Sequence, residues 1–217
     1  MSTTADLHQQ AEQLREQEKF KEALKLYAKV IKQYFAIENF LGIVEALGGQ
    51  MLTYKHLFLV DPKPKYLELS IGSAMASLQV AQKHKVSSIL FRCYFNLGEV
   101  NMLAKDYSAA VTNFKKSYDI IPSTSVEKCR ALSHLAEANY LNGNTKTVES
   151  DLIESINILH KYKNQVDDYT DKVWESGILI KLYTLTKNEK YFAQAQKIID
   201  SDKRLVIRKR QLAEIKK

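Results

Sequence analysis

Proline occurs only three times in this chain. Pro62 and Pro64 share the segment DPKP (Asp61–Pro64), and Pro122 stands alone. Glycine is almost as scarce, with seven residues in 217. These are the residues that end helices and open turns. A chain with so few of them, and rich in Ala, Leu, Lys, Glu and Gln, must be nearly all helix. The apolar spacing predicts helices over 3–16, 20–34, 37–59, 64–84, 87–104, 107–121, 124–142, 145–163, 166–186, 189–201 and 203–216. No apolar run approaches the roughly 18 residues that a membrane span needs.

The segment Tyr94–Pro122 (YFNLGEVNMLAKDYSAAVTNFKKSYDIIP) has the form of a repeat unit. Tyr94, Leu97 and Gly98 share one helical face, and Tyr107, Ala110, Phe114 and Ser117 share a second. The turn AKDY (Ala104–Tyr107) separates them and Pro122 stops the second helix. Gly98 and Ala110 are small where two helices must approach. The pattern recurs. Ala11, Phe20, Ala23 and Tyr27 fall at the offsets of Gly98, Tyr107, Ala110 and Phe114. Leu132, Leu135, Ala136 and Ser155 fall at those of Tyr94, Leu97, Gly98 and Ser117. Glu38 to Lys85 matches poorly and turns at VDPKPKY, and a fifth hairpin is expected from Val166 to Ser201.

On these residues the chain resembles the tetratricopeptide repeat, in its divergent, long-helix form. The resemblance implies an all-α, right-handed α-α superhelix, a solenoid of four to five hairpins over residues 1–217, treated as a single domain. Each hairpin is apolar on both flanks, so it folds by stacking on its neighbours. Residues 203–216 form a basic capping helix, with Leu205, Leu212 and Ile215 facing the core and the basic side chains facing water.

The resemblance also points to a groove. First helices of successive hairpins line the concave face, and positions two and six of each unit lie one turn apart on it. In the third and fourth units these are Arg92 and Asn96, and Arg130 and His134. Such donors suit an acidic or extended peptide. The bidentate carboxylate clamp of co-chaperone relatives is matched only in part, because His134 stands where Arg is usual.

Charge is concentrated at one end. Residues 201–217 hold seven Lys/Arg against two Asp/Glu, which is 7 − 2 = +5 of a net +7. Arg204, Arg208, Lys209 and Arg210 are the candidate phosphate contacts of this tail. No aromatic residue follows Phe192, so no base-stacking platform accompanies them.

Nothing points to catalysis. His8, His56, His84, His134 and His160 never pair at i+3 or i+4, and neither HExxH nor CxxC occurs. No Gly-rich phosphate loop is present, and no metal or cofactor is expected. GGQ (Gly48–Gln50) is the tripeptide of peptide-release factors. Here it lies in a segment of helical spacing and reads as close packing. Cys93 and Cys129 are expected to be reduced, buried thiols, and the N-terminus has no apolar leader, which favours a cytoplasmic protein. The leading expectation is a non-catalytic scaffold for protein–protein interaction, binding a peptide or helical segment in its groove. A nucleic-acid-associated adaptor acting through the basic tail and a self-associating regulator stand as alternatives.

Overall fold

The computed structural model describes residues 3–216. Lys217, one of the seven basic residues of the tail, lies outside them. Among the described residues every regular element is helical. The order opens with α1 (Thr4–Glu16), α2 (Phe20–Ala36), α3 (Phe40–Val60), α4 (Pro64–Lys83), α5 (Leu90–Leu103) and α6 (Tyr107–Ile120). It continues with α7 (Glu127–Leu141), α8 (Val148–Tyr162), α9 (Asp168–Thr186), α10 (Glu189–Asp200) and α11 (Val206–Ile215). Short 3-10 turns, Ser87–Ile89 and Lys163–Gln165, precede α5 and follow α8.

The sequence dictates the ends as well as the bodies. Thr3 and Asp6 form a reciprocal capping box at α1. Asn39, Asp167 and Asn188 accept backbone N–H groups at the starts of α3, α9 and α10. Pro64 opens α4, where its missing N–H costs nothing. Five turns close alike, by a hydrogen bond reaching five residues back. Lys19 donates to Leu14, Asn39 to Tyr34, Val86 to Ala81, Asp106 to Asn101 and Asn144 to Asn139. The residue before each donor is left-handed: Glu18, Glu38, Lys85, Lys105 and Gly143. Only the last is glycine, so four of these turns hold a side chain in a conformation that disfavours one.

The chain falls into two compact units, Met1–Ile120 and Ile121–Lys217. The first contains the hairpins α1–α2, α3–α4 and α5–α6, each helix packing most extensively on its chain neighbours. Its core is built from the expected repeat positions. Ala11, Ala23 and Tyr27 are fully buried and cluster with Val30, Tyr34, Ile43 and Ala46. A Cβ on Gly98 would lie 2.5 Å from Phe114, so the missing side chain is what lets α6 close on α5. Phe114 in turn meets Phe95 edge-on at 5.3 Å.

The second unit contains α7–α8, α9–α10 and α11. Its core joins Ala136, Val148, Leu152, Ile178, Leu182, Ala195, Ile199 and Leu212. Leu205 and Leu212 are buried and Ile215 packs against the same cluster. The last helix is shorter than 203–216. Asp202 holds the preceding turn, accepting from the Arg204 backbone and from its guanidinium at 2.6 Å. One expectation fails here. Arg208 does not face water: its Nε donates to the Val173 carbonyl at 3.1 Å, and its guanidinium occupies the space above Gly177. Burial pushes its pKa down.

Candidate functional site

In the first unit, α1, α3 and α5 wall a cavity of about 510 Å³. This lies within the range of ligand pockets, about 300–1,000 Å³. Each wall helix contributes a pair of residues four apart: Ala5 and Gln9, Glu45 and Gly49, Arg92 and Asn96. Ala5 and Gln9 are the equivalents of Arg92 and Asn96, because Ala5 lies 87 residues before Arg92, the same offset as Ala11 from Gly98; Glu45 and Gly49 line the same cavity from α3.

The floor is set by α3. Gly48 and Gly49 are buried within the helix, so GGQ is part of a packed wall and not an exposed loop tip. A Cβ on Gly49 would meet Glu12 Oε1 and Tyr27 Oη at 2.5 Å, and one on Gly48 would lie 3.3 Å from Asn96 Nδ2. Removing both side chains admits a polar layer from below. Tyr27 donates to Glu12, and Arg15 pairs with the other Glu12 oxygen at 2.6 Å. Burial and the Glu12 carboxylate push the Tyr27 phenol far up. His8 Nδ1 stands 3.4 Å from Tyr34 Oη. The carboxylate of Glu12 is therefore already engaged.

Two cross-links hold the walls in register. Lys55 pairs with Glu99 at 2.9 Å, joining α3 to α5 with both side chains only 15% exposed. Ser77 on α4 donates to the Val44 carbonyl at 3.1 Å and touches Cys93 Sγ at 3.5 Å. Burial raises the pKa of Cys93 and pushes that of Cys129 up to about 12, so neither thiol is activated.

Three groups at the cavity make no side-chain hydrogen bond or ion pair among the described residues. Asn96 is 7% exposed and its carboxamide has no hydrogen-bond partner among the described residues. Its polar atoms are not among the fully buried unpaired ones; they open to the cavity, where water or a ligand can pair with them. Arg92 lies exposed one turn earlier, over the Phe91 ring at 5.7 Å. Glu45 is exposed on α3 and forms no ion pair among the described residues.

The other sequence-derived residues lie in the second unit. Arg130 sits over the Trp174 ring at 5.3 Å and pairs with Glu127 at 3.4 Å. His134 follows one turn later on α7, half-buried. In the tail, Lys209 and Arg210 are exposed, Arg204 is bound by Asp202, and Arg208 is turned inward. The four do not present a common exposed face. Among the described residues no group of three or more His, Cys, Asp or Glu could hold a metal ion, and no helix is long and apolar enough to cross a membrane.

Glu45 and Gln9 were not singled out in the sequence, and GGQ was read as close packing without its place at the cavity. The signal for α1 was the 87-residue offset, which carries Arg92 and Asn96 onto Ala5 and Gln9. For α3 it was hidden by unequal spacing: Ala5 to Glu45 is 40 residues and Glu45 to Arg92 is 47.

No protein-family model matches the chain, and no curated protein matches it. Solved structures do. A putative kinesin light chain of Podosopora anserina with nearly identical TPR-like repeats superposes with a TM-score of 0.66 at 13% identity, over 94% of this chain and 99% of that one. The Rap conjugation gene regulator of plasmid pLS20, in complex with the Phr* peptide, gives a TM-score of 0.75 at 12% identity over 98% of this chain. A Rap protein complexed with competence and sporulation factor gives 0.68 at 14% over 98%. This chain spans 60% and 65% of those two Rap chains. Identities this low speak to fold alone, and the fold is that of the tetratricopeptide-like helical-hairpin repeat proteins.

Proposed function

We propose that the chain is a non-catalytic interaction module whose first unit holds a short extended peptide between α1, α3 and α5. One observation carries this reading: the Asn96 carboxamide opens into the cavity wall with no hydrogen-bond partner among the described residues. A carboxamide both donates and accepts. An extended backbone offers one donor and one acceptor per residue, so it satisfies Asn96 whatever the side chains. Gln9 supplies a second carboxamide on the facing helix.

Rigid hairpins hold these groups before the ligand arrives, which limits the ordering cost of binding. The complex of one structural neighbour with a peptide supports the same use of the fold. The test is selection from a phage-displayed library of random hexapeptides, followed by fluorescence anisotropy of the enriched sequences. Asn96→Ala should weaken the selected peptides at least about tenfold, or about 1.4 kcal/mol. Failure to enrich any sequence over a control protein, or enrichment indifferent to Asn96, would contradict the proposal.

A further inference from the structure

The cavity's charges are not of one sign. Glu45 and Arg92 line the cavity from adjacent wall helices, and the glycine floor lies beside them. Neither is paired with the other or with any described charged group. The remaining carboxylate, Glu12, is taken by Tyr27 and Arg15. The open groove therefore presents one available anion and one available cation, with the Asn96 and Gln9 carboxamides one turn further along their helices.

Resting on the peptide reading above, we infer that the occupant is a mixed-charge peptide: a cationic side chain set against Glu45 and a carboxylate set against Arg92. A uniformly acidic ligand, the sequence expectation, brings like charge onto Glu45. A uniformly basic one does the same to Arg92. Adjacent packed helices stand about 8–10 Å apart. An extended chain covers that step in about three residues at roughly 3.3 Å each. Crossing α1, α3 and α5 takes two such steps, so the ligand is about five to six residues long. The two charges lie two to four residues apart.

The test uses the full chain and hexapeptide pools with both termini blocked, so that only side chains carry charge. The pools place Lys and Asp at positions two and five in all four combinations, on a randomised Ala, Leu and Ser background. Binding is read by competition against a labelled mixed-charge pool. One of the two mixed pools should bind at least tenfold better than both like-charged pools, with the margin shrinking as salt rises. Glu45→Gln should erase the margin over the Asp/Asp pool, and Arg92→Gln the margin over the Lys/Lys pool. Both side chains are exposed, so neither variant threatens folding. Asn96-dependent binding that favours the Asp/Asp or the Lys/Lys pool, or margins unmoved by either variant, would overturn the inference and leave the peptide reading standing. Absence of Asn96-dependent binding in every pool would overturn both.

Discussion

An unpaired amide in a cavity wall costs the free protein stability, so its removal should be a gain. In Asn96→Leu the carboxamide becomes an apolar group of similar size beside open volume, so overpacking does not arise. Desolvating an unpaired amide costs about 1–3 kcal/mol in proteins. Asn96 keeps 7% exposure, and water in the cavity recovers part of that, which places the gain near 1 kcal/mol. The better helix propensity of Leu adds a few tenths. For a chain of this size a gain of about 1 kcal/mol raises the melting temperature by about 2–4 °C. Urea unfolding followed by far-ultraviolet circular dichroism reads it directly. The same variant should lose peptide capture. Stability and binding moving in opposite directions is the signature of a group kept for a ligand. A loss of 1 kcal/mol or more in the free protein would show that the amide is structural, and the reasoning would fail.

Other substitutions test the packing. Gly98→Ala puts a Cβ 2.5 Å from Phe114 and should destabilise by about 1–3 kcal/mol, whereas Gly72→Ala on α4 meets nothing within 4 Å and should stabilise by about 0.5–1 kcal/mol, both by thermal unfolding. Lys105→Gly relieves a left-handed side chain at φ 60° and should add about 0.5–1 kcal/mol by the same measurement. Burial lowers the pKa of His56 from 6.5 to about 4. The unfolded chain therefore binds a proton there between pH 6.5 and 4 that the native state refuses, and stability should fall as pH drops through that window. In His56→Gln that part of the pH dependence should flatten.

The helices were legible because so little interrupts them. Every boundary lies within three residues of its expected place, and the shifts have local causes. The segment from Ser87 opens as a 3-10 turn before α5 begins at Leu90, and Asp202 holds back the start of α11. The repeat positions around Gly98 were legible because aromatic and small residues must alternate where helices touch. Half of the site was readable in the same way, since Arg92 and Asn96 sit at fixed offsets in the most regular unit. The packing of GGQ was also readable, but Glu45 and the floor's place at the cavity were not, because the DPKP turn and the long α3 and α4 break the spacing that would assign them. Arg208 was misread for a different reason. Helical periodicity assigns a basic residue to solvent. It says nothing of a carbonyl such as that of Val173, or of a glycine that leaves room for a guanidinium.

The proposed peptide lies between α1, α3 and α5. Amide chemical-shift mapping of the labelled chain, titrated with the best mixed-charge hexapeptide, tests it most directly. Shifts are expected at Ala5–Glu12, Val44–Leu52 and Ile89–Asn96, with the Asn96 side-chain amide among the largest. Shifts confined to the outer helices α2, α4 and α6, or to the second unit, would contradict it.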